Sequence, residues 1–581
     1  MSRKKVYPYE GSKRDPENKL YADFEKKVND FVKNLLQDYQ PVKYTYTKVI
    51  HDPVWGTMMF YPWEICVIDS PLLQRLRKIS QVGLALLTYP SAHHTRFEHT
   101  LGVVSVVTKM VNNINQEQFG RSPVKNKNKV IDDGDLFKLR FAALMHDVGH
   151  CFFSHLSESI YGKMENFISL KESFEIFSSA KEHEIFAYII VNSPVFKDFV
   201  NKKINYPSDF MEESFFEDIG RMIVGAFIEP DNPTPATKTT TKKYYMTQMI
   251  NGQYDADKLD YLRRDSYTAG LALTYDIERF LYKIRIVDRT EESGDNIIVG
   301  KHLTIPISGV SAVEEMAFSQ LMLASYIYQH QKVLATDALI QDVAEGLAKN
   351  KKLTHPCDFL SYCDDDIFQI YEESSDEDFK QKISEKHINA ASSKTLSDMV
   401  KRVRMRDLPK RALAINSNTV DEKDGTTYKV ADIANTLRGI TELRQKICDE
   451  AQKVCNLLDE SFGDKKNIDI YDIHISIPKT SVAKDLNNAF VVTNEDIIVP
   501  LSNIVRLSDW ADAFSYHKWN AYVFAREDIL PIVSIASKVV FENYGLKFSN
   551  NVFKNLKDES IIRKMIDFLE TETDYFKNIK F

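Results

Sequence analysis

The sequence predicts a mainly α-helical N-terminal core followed by a mixed α/β C-terminal region. Three observations carry this prediction. Apolar residues recur at helical spacing through most of 71–350. Past 350 the composition changes, to acidic over 364–380 (DDDIFQIYEESSDEDFK) and basic over 401–412 (KRVRMRDLPKRA). Runs with strand character, IDIYDIHISIP (468–478) and NAYVFA (520–525), occur in that last part. A chain of 581 residues with 43% apolar residues has material for two or more domains. The division expected is an arm and helix over 1–43, a core over 44–350, and a mixed region over 351–581 that regulates or oligomerises.

In chain order, 1–18 reads as a polar arm and YADFEKKVNDFVKNLLQDY (22–40) as a helix. YTYTKVIHDPVWGTMMFYPWEICVIDS (44–70) reads as short strands and turns. Two polar stretches, 112–135 and 230–243, interrupt the helical core as loops. Asp135 is placed to cap LFKLRFAALMHDVG, with Gly149 ending that helix. Thr95 with Glu98, and Ser179 with Glu182, have capping-box spacing at two further helix starts. QYDADKLDYLRRD (253–265) has Asp257, Tyr261 and Asp265 four apart on one helical face. A long helical stretch over 311–350 closes the core, and 438–462 reads as another helix.

A formal charge of −8 and a pI near 6.0 argue against a surface built for nonspecific nucleic-acid binding. The basic run at 401–412 has no aromatic residue for base stacking, so it reads as a solvated or interdomain face. The start is polar with no apolar leader, and the six cysteines then read as reduced thiols of a cytoplasmic protein. No apolar run approaches membrane-spanning length, so no membrane partner is expected.

Seven of the fourteen histidines lie between 93 and 183: His93, His94, His99, His146, His150, His155 and His183. Any one of them reads as a packing or capping residue. As a set, three of them with an aspartate inside RFAALMHDVGHCFFSH (140–155), they read as a site. Adjacent His146 and Asp147 offer nitrogen and oxygen donors to one divalent ion, and His99 offers a third. A further carboxylate has to come from elsewhere, and 253–265 supplies candidates among which composition does not choose.

The order H…HD…D resembles the HD-domain metal-dependent phosphohydrolases, and more closely their deoxynucleoside triphosphate triphosphohydrolase branch. The resemblance rests on DPVWG (52–56), IDSPLLQRLRKISQVG (68–83), HHTRFEHTLGV (93–103), LMHDVGHCFFSH (144–155), EHE (182–184), DADKLDYLRRD (255–265) and YQHQKV (328–333). It implies a helical phosphohydrolase core and a metal held by His99, His146, Asp147 and Asp257. One divalent ion per active site is implied, with Mn, Fe, Mg, Co, Ni and Zn all compatible with such ligands. His150, His155, Glu158 and His183 match the acid–base and phosphate-contacting positions, His155 being the expected leaving-group acid. Arg96 and Lys258 match phosphate contacts, and Gln81, Val82, Tyr261, Asp265 and Tyr328 match sugar-side contacts. Asp69, Gln74 and Arg77 match an activating-nucleotide site of some relatives, and read equally as structural residues.

One position departs from the pattern. Gln320 stands where these enzymes carry an arginine for the triphosphate, a loss of about 1.5–3 kcal/mol of phosphate binding unless another residue such as Lys332 substitutes. The expected activity is hydrolysis of a dNTP to deoxynucleoside and tripolyphosphate by a homo-oligomer, dimer or tetramer. The alternatives are a phosphodiesterase or phosphomonoesterase acting on another nucleotide (cyclic, oligonucleotide or single-stranded DNA), and a non-catalytic nucleotide-sensing or nucleic-acid-binding module. Control of a nucleotide pool and antiviral defence would use the same chemistry.

Overall fold

The computed structural model describes residues 16–121, 129–206, 210–228, 239–273, 275–293, 296–350, 353–372, 390–420, 429–480, 486, 489–493, 497–549, 552–554 and 556–575. The chain forms two compact units, the first of residues 1–323, 347–369 and 485–507, the second of 324–346, 370–484 and 508–581. The arm at 1–15, the middle of each expected loop (122–128 and 231–238) and the acidic stretch 373–380 lie outside the described residues.

The first unit opens with α1 (Pro16–Leu36) and a hairpin of β1 (Lys48–Asp52) and β2 (Gly56–Phe60), its strands antiparallel with Asp52 opposite Gly56. Asp52 makes this turn: its Oδ1 accepts the amides of Val54 and Trp55, both at 2.9 Å. Gly56 follows at φ 71°, a conformation that costs a residue with a Cβ. Then come α2 (Pro62–Ile68), α3 (Pro71–Gln74), α4 (Arg96–Arg121), α5 (Asp133–Met145), α6 (His155–Tyr161), α7 (Glu165–Ser173) and α8 (Glu182–Asn192). After α9 (Pro194–Lys203) and α10 (Phe215–Ile223) lie β3 (Thr239–Lys242), α11 (Tyr244–Ile250) and α12 (Ala256–Thr268). The unit continues through α13 (Ile277–Lys283), β4 (Arg285–Ser293), β5 (Asn296–Pro306) and α14 (Val310–Leu323). β5 pairs with β3 in parallel and β4 in antiparallel, and extends to the short strands Phe490–Val492 and Ile498–Pro500.

Two helices explain where the core sits. Every residue of α8 from His183 to Asn192 is buried, as is nearly all of α5 from Asp135 to Met145. Neither has a polar face, so each must be surrounded. α8 packs against α1 and α10, while α4 packs against both α5 and α12. The site-bearing ends of these helices are thereby fixed on all sides.

Several local expectations shift. Asp132, not Asp135, caps α5, its side chain accepting the Asp135 amide at 2.8 Å. The Asp135 carboxylate turns inward to the Tyr245 hydroxyl and Lys243 instead. Lys181, not Ser179, starts α8, with Glu184 Oε2 accepting the Lys181 amide at 2.8 Å. α5 ends at Met145, before Gly149. Gly149 is needed for another reason: a Cβ there would run into the His183 carbonyl and the Ala187 amide of α8. The expected loops are also shorter, because α4 runs to Arg121 and β3 occupies 239–242.

The second unit is built on a three-stranded antiparallel sheet with Ala521–Ala525 between Lys410–Ile415 and Ile473–Ser476. The centre strand, AYVFA, is buried at every position. Helices Val430–Gly439, Leu443–Leu457, Leu530–Asn543 and Glu559–Thr571 close over it with a shared apolar core. The single helix expected over 438–462 is broken at Glu442, whose φ is 52°. The long helical stretch expected over 311–350 is α14, a π-turn at Ala324–Tyr328, and α15 (Gln331–Asn350). Back in the first unit, which takes in 347–369, the 3₁₀ turn Pro356–Ser361 leads into α16 (Asp364–Glu372).

Candidate metal and phosphohydrolase centre

His99 sits in the first turn of α4, where Glu98 reaches back to the Thr95 amide at 2.9 Å and fixes the helix start. His146 and Asp147 follow directly on α5, and Asp257 lies in the first turn of α12, whose cap Asp255 accepts the Lys258 amide at 2.7 Å. These helix ends bring four side chains to one point. His99 Nε2 is 2.9 Å from Asp257 Oδ1 and 3.7 Å from Asp147 Oδ2. His146 Nε2 is 3.4 Å from both His99 Nε2 and Asp147 Oδ1.

The tautomers follow from the partners. His146 Nδ1 donates to the Ala143 carbonyl at 2.8 Å, and His99 Nδ1 donates to Asp260 Oδ2 at 2.7 Å. Both Nε2 lone pairs therefore face each other and two carboxylates, an arrangement that requires a cation among them. Without a metal the proton takes that place. Although burial works against it, the Asp257 and Asp260 carboxylates push the His99 imidazolium up to about 10. His99, His146 and Asp257 offer donor atoms that all lie within 4.8 Å of one another and could hold a divalent ion, while Asp147 groups in the same way with His150 and His183.

Asp260, Arg264, Trp55 and Asp52 were not singled out from sequence, yet they support this centre. Asp260 is fully buried and accepts from His99 and from Trp55 Nε1 at 2.5 Å. It also accepts from Arg264 Nε and an Arg264 terminal nitrogen, at 2.8 and 3.0 Å. Arg264 is held in turn by Asp52, at 2.8 Å. The DPVWG and DADKLDYLRRD blocks, more than 200 residues apart, meet here. Gly102 of HTLGV is a glycine because a Cβ there would strike Asp260 and Arg264.

Beside the candidate ligands stands a wall of three histidines on one carboxylate. Glu158 Oε1 lies 2.9 Å from His183 Nδ1 and 3.0 Å from His150 Nδ1, and Oε2 lies 3.1 Å from His155 Nδ1. His150 and His183 stack with centroids 3.7 Å apart. His150 Nε2 comes within 3.2 Å of Asp147 Oδ1, joining the wall to the metal ligands. The rings differ in charge. Burial, with Arg96 beside it, pushes the His150 imidazolium down to about 3, so His150 is neutral. Against the effect of burial, Glu158 raises His183. Also against burial, His155 and His183 hold Glu158 well below the usual carboxylate range. The His155 side chain is 61% exposed, against 5% for His183. Of the three rings, His155 is the one presented outward.

Of the expected phosphate contacts, Arg96 is buried with Nε on Ser154 Oγ at 2.9 Å and a terminal nitrogen on Asp147 Oδ2 at 3.0 Å. Lys258 folds onto its own turn, bonding the Gly252 carbonyl and Asp255. On the sugar side, Tyr261 takes a hydrogen bond from Gln320 Nε2 at 3.3 Å, so the residue in the arginine's place is tied to the tyrosine. Asp265 is buried and bonded to His94 Nε2 at 2.7 Å, a partner not assigned from sequence. Gln81 is buried with Oε1 unpaired, and Val82 follows it in the same segment. Tyr328 belongs to the second unit, on the π-turn. The regulatory candidates Asp69, Gln74 and Arg77 form a local structure: Asp69 ends α2, Arg77 Nε donates to Gln74 Oε1 at 2.8 Å, and Arg77 lies over the Phe97 ring.

The sequence model of the HD domain matches residues 96–262, a span holding all four candidate ligands and the histidine wall. The chain is 29% identical over 307 residues to the deoxynucleoside triphosphate triphosphohydrolase SAMHD1 of Mus musculus, covering 51% of this chain and 43% of that one. It is 30% identical over 295 residues to an uncharacterized protein of Methanocaldococcus jannaschii, covering 51% and 48%. It is 27% identical over 309 residues to the uncharacterized protein YwfO of Bacillus subtilis, covering 52% and 57%. The chain spans about half the length of these curated relatives. Fold, donor set and match together give an HD-domain metal-binding phosphohydrolase fold, distantly related to the SAMHD1 enzymes.

Proposed function

We propose that this chain hydrolyses deoxynucleoside triphosphates to deoxynucleoside and tripolyphosphate, as a metal-dependent phosphohydrolase. The observation that carries the reading is the contact between His150 and Asp147, which sets an acid–base wall directly against the metal ligands. The name of the SAMHD1 relatives supports the dNTP as substrate. Bound at His99, His146, Asp147 and Asp257, a divalent ion would polarise a phosphate oxygen and lower the pKa of the attacking water.

The chain's own groups supply the rest. Arg96 places a guanidinium at Asp147 and neutralises charge where a phosphate enters. Neutral His150 offers hydrogen bonding to the phosphoryl group without repelling the ion. Water adds to the α-phosphorus and releases a proton to solvent, the bond from phosphorus to the 5′-oxygen breaks, and that oxygen takes a proton from His155. Glu158 holds His155 in orientation. Tyr261 and Asp265 face the sugar in this reading, and crowding at the tyrosine disfavours a 2′-hydroxyl.

The Gln320–Tyr261 hydrogen bond supports a second reading, a phosphodiesterase or phosphomonoesterase acting on another nucleotide, because an amide there neutralises no phosphate. A mass-resolved product assay separates the two. Protein loaded separately with Mn²⁺, Mg²⁺, Co²⁺ or Fe²⁺ is given single and paired dNTPs, with the His146→Ala, Asp147→Ala double variant as control. Deoxynucleoside plus intact tripolyphosphate, absent in the variant, is the expected result. A requirement for a second nucleotide would assign Asp69, Gln74 and Arg77 to an activator. Failure of every metal-loaded form to consume dNTP sinks the dNTP reading and moves the screen to cyclic and oligonucleotide substrates.

A further inference from the structure

Between α5 and α6 the chain makes a turn that side chains resist. Phe153 has φ 49°, and Ser154 follows at φ 51° and ψ −119°. Consecutive non-glycine residues in this region persist only where surrounding contacts over-determine them. The next residue is His155. Whatever holds this turn therefore sets where the outward ring of the histidine wall points.

The holding group comes from α16, far beyond the 96–262 match. Asp364 Oδ1 accepts the Phe153 amide at 2.6 Å, and its Oδ2 accepts the Ser80 amide at 2.9 Å. Helix capping does not explain this carboxylate, because Asp366 caps α16 by accepting the Cys363 amide at 2.7 Å. The same two segments are stitched again by Ser154 Oγ, which donates to the Ser80 carbonyl at 2.7 Å and accepts from Arg96. α16 also packs Phe368 edge-on against Phe153.

We propose that Asp364 is a positioning residue: one carboxylate locks the turn before His155 to the segment before Gln81, fixing the leaving-group acid relative to the sugar side of the pocket. This rests on the roles given above to His155 and Gln81. The acidic run at 364–366 thus divides its work, Asp366 capping the start of the helix and Asp364 reaching into the site.

The test uses the full metal-loaded chain with Asp364→Ala, Asp364→Asn and, as control, Asp365→Asn at the exposed neighbour on the same turn. Two substrates are compared, a dNTP, whose alkoxide leaving group needs a proton, and the p-nitrophenyl ester of thymidine 5′-phosphate, whose phenolate leaves without one. Asp364→Ala is expected to lower kcat on the dNTP about 10- to 100-fold, to spare the nitrophenyl ester, and to leave metal per chain unchanged. Asp364→Asn, keeping one acceptor, falls between, and Asp365→Asn matches wild type. Equal loss on both substrates together with lost metal would show a merely structural role, and unchanged kcat on both would also overturn the proposal. Hydrogen exchange over 79–82 and 150–156 is read in parallel, and Asp364→Ala should raise it in both segments. If wild type turns over neither substrate, the hydrolase reading falls by itself, and exchange unaltered by Asp364→Ala then removes the clamp as well.

Discussion

Asp260 touches no expected substrate contact, yet His99, Trp55 and Arg264 all donate to it in a site closed to solvent. Its carboxylate fixes the His99 tautomer and strengthens Nε2 as a ligand. Asp260→Asn should therefore weaken metal binding about 10- to 100-fold, read as metal retained per chain after dialysis against a graded chelator; full retention would contradict this role. Glu158→Ala acts on the other side of the centre. It removes the common partner of three histidines, so kcat should drop about 10²- to 10⁴-fold while metal content stays at the wild-type level. The candidates His99, His146 and Asp147 and the histidine wall could be named because each is a reactive residue type in a distinctive local run, whereas Asp257 was chosen from its neighbours only through the family resemblance. Asp260 could not be named, since its partner His99 is 161 residues away and nothing local marks that aspartate from its neighbours.

Helix ends, more than helix faces, carry the chemistry. His99 and Asp257 occupy first turns, while His146 follows the last residue of α5. Helix existence could be read from periodicity, and Thr95 with Glu98 located one start correctly. The starts of α5 and α8 were displaced by three and two residues, because each region offers several side chains able to cap and only packing selects among them. Gly149 shows the same limit: its role as a contact with α8 depends on an element more than 30 residues later. Gly149→Ala forces a methyl group against the α8 backbone at His183, so it should destabilise the chain by about 1–3 kcal/mol and displace His183 from Glu158. Denaturant unfolding and kcat measure the two effects. A variant with normal stability and normal kcat would show that α8 moves freely, against its complete burial.

At the scale of the whole molecule, the second of the two units carries a buried histidine–aspartate cluster that responds to acid. In it, His474 on strand Ile473–Ser476 is buried and donates from Nδ1 to Asp342 Oδ2 at 2.9 Å. Arg444 clasps the same carboxylate at 2.5 and 2.7 Å and, with Arg402, adds positive charge around the ring. Burial lowers the His474 pKa below its ordinary value, so the folded unit resists a proton that the unfolded chain accepts at a pKa of about 6.5. Asp342 is held below the usual carboxylate range by His474 and Arg444, against the effect of burial. Both shifts have the same sign. Stability from this cluster is present above about pH 6.5 and is lost as pH falls, first through histidine protonation of the unfolded chain and then, below about 4, through Asp342. The histidine limb has a slope of at most about 1.4 kcal/mol per pH unit, one proton's worth. Hydrogen exchange in the segments around Asp342, Arg444 and His474 should therefore accelerate between pH 7.5 and 5.5, after correction for the intrinsic rate. His474→Gln keeps an amide donor for Asp342 but has no group that titrates in this range, so it should flatten that dependence. If the Gln variant retains the wild-type acid response, the sensitivity lies elsewhere in the unit and the buried histidine does not set it.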